Sequence, residues 1–283
     1  MLLFEYPFML PALGLCLLLS GLLGVFGHHV VRRGVIFVDL ALAQMAALGA
    51  AISLLLDLGG AHGTPSFAVS VGATLLGALL FAWFRRWDRL PIEAMIGMTY
   101  AGAMAFTLLI LERSATGTEE LKEMLVGSIL TVDTGSLAVT AGIFVAVALV
   151  LAAARRPLFH ITEDPAGARS AGRRIALWDL LFYSLFGVVV TLSVHAAGIL
   201  LVFAFLVTPS LASLLVAERA WARLLFGWGF GVTGCVLGLE TSLRLDASAG
   251  PTVAATFIVL LAVTGAASAL TRARSPRPTR PHA

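Results

Sequence analysis

Nine apolar stretches, each close to the ~20 residues a helix needs to cross a bilayer, take up most of this chain of 283 residues. They cover residues 8–26, 35–56, 67–84, 92–111, 136–154, 177–194, 198–216, 221–239 and 252–270. Charge is too scarce for a soluble domain, at 12% of residues against about 25%. In hydrocarbon the backbone must satisfy its own hydrogen bonds, so stretches of this length specify helices. The expected fold is all-α, a polytopic transmembrane helical bundle of about nine spans. It forms a single domain over residues 1–271, followed by a disordered basic tail over 272–283 that is rich in Pro and Arg. Only His195, Ala196 and Ala197 separate the sixth and seventh stretches. A count of eight, with one stretch broken or re-entrant, therefore stays open.

The basic residues fall in alternate loops. Sixteen of the nineteen Lys and Arg lie on one side of a nine-span bundle, leaving Arg113, Lys122 and Arg244 on the other. The positive-inside rule then places the N-terminus outside and the C-terminus in the cytoplasm. This distribution also accounts for the sequence pI of about 9.3 without nucleic acid. No basic region precedes the first apolar run and no clear small-residue cleavage site follows it, so no signal peptide is expected.

Two loops read as short helices. In the outer one, residues 118–127, Thr118 is the expected N-cap, glutamates fill the first turn and Gly127 ends it. In the inner one, residues 162–172, Asp164 is a natural N-cap, Pro165 suits the first helical position and Gly172 the end. Small residues crowd positions 41–51, and Gly227, Gly231, Gly234 and Gly238 line the eighth stretch. Such residues let helices approach closely in lipid.

Polar groups inside the spans are rare enough to weigh singly. Residues 32–51 read RRGVIFVDLALAQMAALGAA, with one carboxylate, Asp39, and one amide, Gln44, in a hydrophobic helix. An intramembrane carboxylate is costly, and it points by default to a functional interior or a water-filled path. Its structural alternative is an ion pair with Arg32 or Arg33. Gln44 can line the same path or bridge two helices by a hydrogen bond. His195, at the outer end of a span, can receive a cation or sit at the interface. His28 and His29 read as cytoplasmic loop residues. Glu93, Asp179 and Glu240 lie near span ends, where water or headgroups can reach them. Pro209 interrupts the seventh stretch and is either a hinge beside the path or a tolerated kink.

Several chemistries are missing. The only lysine, Lys122, follows Glu120 and Leu121, so no phosphate-binding GxxxxGK[ST] loop exists. No HExxH, GxSxG or paired-carboxylate motif appears. Cys16 and Cys235 each lie in an apolar run and form no CxxC. Catalysis by this chain alone is not expected, and uphill movement would need energy from a partner or an ion gradient.

Four ordered regions spanning nearly the whole chain resemble the membrane permeases of metal-type (zinc, manganese or iron) ATP-binding-cassette importers. They are RRGVIFVDLALAQMAALG (residues 32–49), EELKEMLVGSILTV (119–132), GILLVFAFLVTPSLAS (198–213) and LDASAGPT (245–252). The resemblance implies a non-enzymatic permease in the bacterial inner membrane, acting as a homodimer with a cytoplasmic ATPase dimer and an extracytoplasmic substrate-binding protein. It implies no tightly bound cofactor, a divalent metal cation as cargo, and Asp39 on the metal path with Gln44, His195 and Pro209. It makes Glu163, Asp164, Pro165, Ala168 and Gly172 the segment that couples to the ATPase. Asp246 and Gly250 would shape an outer turn, or a surface for the binding protein.

The sequence also departs from the family pattern. The histidine expected four residues after the aspartate is replaced by Ala43, and Gln44 follows one position later. Five helical steps of ~100° place Gln44 roughly 140° from Asp39 unless a π-bulge absorbs the extra residue. Glutamine offers an oxygen where histidine offers nitrogen, which weakens the case for zinc. Ser248 replaces the family's proline in the last region. Two alternatives remain at this level: a permease for a metal chelate, siderophore or cobalamin-like ligand, and a non-transporting membrane scaffold of the same fold.

Overall fold

The structure, a computed structural model, describes residues 9–58, 64–84, 90–114, 117–127, 129–164, 167–168 and 175–274. Among them are eleven α-helices and no strand. These are α1 (Met9–Arg33), α2 (Val38–Leu55), α3 (Thr64–Phe84), α4 (Ile92–Leu111), α5 (Gly117–Val126), α6 (Thr134–Ala153), α7 (Arg155–Glu163), α8 (Ile175–Ala197), α9 (Ile199–Val216), α10 (Ala220–Leu245) and α11 (Ala249–Arg274). All but the short α5 and α7 are long and apolar enough to cross a membrane, which gives nine candidate spans among the described residues.

The helices assort into two groups. α2 packs against α3, α4 and α8, while α9 packs against α1, α10 and α11. α2 and α9 are central, with 72% and 61% of their most apolar stretches buried, whereas α3, α4, α6, α10 and α11 reach at most 33%. The outer helices expose large apolar side chains such as Phe106, Leu149 and Trp228. An apolar surface this extensive needs a covering, and a bilayer supplies it. Phe26 of α1 joins the groups by packing against Phe182 and Phe186 of α8, with ring centroids 5.5 and 4.8 Å apart.

The glycine stripe of α10 packs as its sequence implies. A Cβ at Gly231 would strike Ser20 of α1, and one at Gly234 or Gly238 would strike Phe257 or Val253 of α11. On the other side of the bundle, Gly49 of α2 brings the helix against the backbone of Ser70 in α3.

Two open readings close and two local expectations change. The sixth and seventh stretches are two separate helices joined by Gly198 alone, whose φ of 78° and ψ of 158° turn the chain, so nine candidate spans, not eight, stand among the described residues. α9 runs unbroken through Pro209. Pro209 has no N–H to give the Phe205 carbonyl, and on either side of that position Thr208 donates to the Ala204 carbonyl and Ser210 to the Leu206 carbonyl. α5 starts at Gly117, which places Thr118 inside the helix and not before it, and Gly127 (φ 68°) ends it. α11 continues to Arg274, through the first residues of the expected tail; the remainder of that tail lies outside the described residues.

Candidate functional site

The expected site residues separate into two ends and a middle. At one end lie the C-terminus of α1, the start of α2, α7 and the start of α8; this is the basic end, carrying Arg32 and Arg33. Asp39 is the second residue of α2 and is 1% exposed. Its Oδ1 has no hydrogen-bond partner among the described residues. The structural alternative, an ion pair of Asp39 with Arg32 or Arg33, is not what forms, because both arginines turn away toward α7 and α8. Arg33 Nη1 donates to Asp179 Oδ1 at 2.8 Å, and Arg32 forms a two-pronged pair with Glu163.

α2 is a regular α-helix from Val38 to Leu55, with no π-bulge. Asp39 and Gln44 consequently point in directions roughly 140° apart. Both are buried because α2 is enclosed on most sides. The two residues do not form one site on a single helix face.

His195 lies at the far end. It is sixteen residues along α8 from Asp179, about 24 Å at 1.5 Å per residue. Its Nδ1 is 2.9 Å from the Thr191 carbonyl and its ring meets Phe67 edge-on. The Nδ1–H tautomer donates that bond. Also at the far end, Asp246 adopts a left-handed conformation (φ 50°) and closes α10, and Gly250 abuts the Val126 carbonyl. Asp246 ends α10, and Gly250 lies in the first turn of α11. Among the described residues no group of three or more His, Cys, Asp or Glu is placed to hold a metal.

At the basic end, sequence reasoning misplaced several residues. His28 and His29 lie within α1 and are 5% and 2% exposed, not in a loop. His29 packs edge-on against Phe159 of α7 and Phe182 of α8. Asp179 is buried against Arg33 and does not face water. Thr162, which drew no attention in the sequence, accepts from Arg33 Nε–H at 2.9 Å and stands 2.8 Å from His29 Nδ1. Arg33 also lies over the Phe182 ring, 4.5 Å from its centroid.

The segment after α7 is described at Asp164, Gly167 and Ala168. Asp164 acts as the cap expected of it, accepting the Gly167 N–H at 2.9 Å. Ala168 is fully buried, so it anchors the segment and offers no docking surface. Pro165 and Gly172 lie outside the described residues.

Arg32 gives Glu163 a measurable pH signature. Its two-pronged hydrogen bond holds the Glu163 carboxyl below the usual glutamate value of 4.5. With a lowered folded value, the stability from this pair is present above the unfolded value and is lost as pH falls through the folded one. Both side chains are more than a third exposed, so screening limits the pair to at most about 1 kcal/mol. Glu163→Gln should lower the unfolding temperature slightly at about pH 7, and the difference should shrink as pH falls below the ordinary glutamate value. Melting curves of both proteins on either side of that value check this.

With this geometry in place, comparison with known proteins identifies the class. The ABC 3 transport family matches residues 5–267, and the chain belongs to that family. It is an integral membrane transport subunit, and ATP hydrolysis belongs to a separate ATPase subunit. Among its relatives is the manganese import system permease protein ScaB of Streptococcus parasanguinis, 25% identical over 92% of this chain and 90% of that one. Another is the manganese transport system membrane protein MntC of Halalkalibacterium halodurans, 26% identical over 89% and 84%. The solved structure of PsaBC from Streptococcus pneumoniae in complex with Fab shares the fold, with a TM-score of 0.78, 22% identity and coverage of 93% and 92%.

Proposed function

We propose that this chain is the permease of an ATP-driven importer in the bacterial inner membrane, and that it forms the path for a divalent metal cation of the zinc, manganese or iron class. Two copies would assemble with a cytoplasmic ATPase dimer and an extracytoplasmic binding protein. The basic end faces the cytoplasm, in keeping with the positive-inside distribution of arginine. Asp39 lines the path, and the segment from Glu163 through Asp164 meets the ATPase.

The observation that carries this reading is the buried Asp39 carboxylate, whose Oδ1 has no hydrogen-bond partner among the described residues. Desolvating a carboxylate oxygen without a partner is costly. A passing hard cation is the partner an oxygen of this kind suits, and carboxylate favours manganese-type ions over soft metals. Relatives named for manganese import support the same cargo class.

The test is uptake into proteoliposomes holding the full complex, with zinc, manganese, iron, cobalt and copper supplied separately. Wild type should accumulate one of these, and Asp39→Asn, of equal size but without the charge, should fall to the level of empty vesicles. Full uptake by Asp39→Asn would remove the carboxylate from the path. Absence of uptake for every free metal, despite an active ATPase, would redirect the assignment to a chelate.

A further inference from the structure

We propose that Arg32 and Arg33 are positioning residues that clamp the ATPase-facing segment to both helix groups, so that its movement is delivered to α2 and Asp39. The proposal rests on the reading of that segment as the ATPase contact. It assigns work to side chains at the end of α1, a helix that the ATPase-facing segment does not include.

The clamp is built on two consecutive residues of α7. Thr162 receives Arg33 Nε–H and adjoins His29, while Glu163 receives Arg32 through two nitrogens. His28 Nε2 is 3.7 Å from the same carboxylate. The next residue, Asp164, caps the segment. Arg33 then spans to the other helix group through Asp179 of α8. One short stretch, residues 162–164, is thus fixed to α1 directly and to α8 through a single guanidinium. Only residues 34–37 separate Arg33 from the start of α2, and Asp39 follows one residue later.

The two arginines have different environments. The Arg33–Asp179 pair is almost fully buried, at 3% and 1% side-chain exposure, while Arg32 and Glu163 are exposed to 39% and 38%. A buried ion pair adds little net stability because desolvation offsets its attraction. It does fix direction, since guanidinium donors point in a rigid plane. Arg33 is the rigid joint, and Arg32 is the outer strap that stops α7 from rolling about it.

The exposed strap permits a test that spares folding. The full complex, with its ATPase and binding protein, is reconstituted with Arg32→Glu, Glu163→Arg and the double variant, and metal uptake per ATP hydrolysed is measured. Each single variant should lower that ratio about tenfold, within the range of coupling between distant sites. The double variant restores opposite charges and should recover to within about threefold of wild type. Arg33→Lys keeps the charge and loses the planar fork, and should lower the ratio as well. Single variants that keep the wild-type ratio, or a double variant that stays as low as the singles, would overturn the clamp while wild-type uptake upholds the permease reading. A wild-type complex with no ATP-driven uptake of metal or chelate would overturn the permease reading itself, and the clamp with it.

Discussion

Asp179→Ala is expected to destabilise the protein by about 3–5 kcal/mol, the usual cost of stripping one partner from a buried ion pair. The substitution removes a buried carboxylate from the Arg33 guanidinium, which is 3% exposed and packed against Phe182 and Thr162. The Thr162 hydroxyl and the Phe182 ring are neutral and do not replace that carboxylate. Asp179→Asn should cost less, because an amide oxygen still accepts from Arg33 Nη1. Replacing both partners, Arg33→Met with Asp179→Leu, should recover most of the loss, since an apolar pair carries no desolvation penalty. Unfolding in detergent of wild type, Arg33→Met, Asp179→Leu and the double variant completes a double-mutant cycle that measures the coupling directly, with Asp179→Ala and Asp179→Asn measured beside it. A loss below about 1 kcal/mol for Asp179→Ala is what a solvated pair would give, and it would contradict the burial seen here.

How much of this was readable from sequence depends on the length scale of the cause. The nine spans were legible because lipid imposes a length and polarity on each helix locally. So were the Asp164 cap and the Gly127 stop, which depend on residues within a turn. The end of α1 was not legible. A hydropathy reading stops the first span at Phe26, yet the helix continues to Arg33 because Phe159 and Phe182 cover His29. Partners were equally hidden: Arg33 and Asp179 are 146 positions apart, and the only ion pair weighed for Arg33 from sequence was with the nearer carboxylate, Asp39. Glu163 read as a contact for the ATPase, and the fold shows it engaged by Arg32 of the same chain. Local register also held at Gln44: only a bulge could have absorbed the one-residue offset, and α2 has none.

The second large effect is expected at the opposite end of α8. Gly198→Ala should cost about 2–6 kcal/mol, combining a glycine-only backbone conformation worth about 1–3 with overpacking of similar size. Gly198 has φ 78° and ψ 158°, a region that a Cβ makes unfavourable. An added methyl would also stand 2.5 Å from the Gly127 nitrogen and 2.6 Å from the Val126 carbonyl carbon. Both obstacles are backbone atoms, which cannot swing aside as a flexible side chain can. Gly127, itself at φ 68°, meets Ala197 and Gly198 in return, and Gly250 closes the junction against the Val126 carbonyl. The exit of α5, the α8–α9 turn and the start of α11 therefore meet backbone to backbone. Gly250→Ala lacks the positive φ and should cost less than Gly198→Ala. Thermal unfolding and size-exclusion profiles of the two variants rank them, and equal stability of Gly198→Ala and wild type would show that α5 does not sit on this turn. The ranking also bears on transport. α8 is held by Arg33 at its basic end and by this junction at the other, so loosening the junction frees its far end while its packing on α2 and α3 remains. Metal uptake should then fall along with stability in Gly198→Ala, and by less in Gly250→Ala.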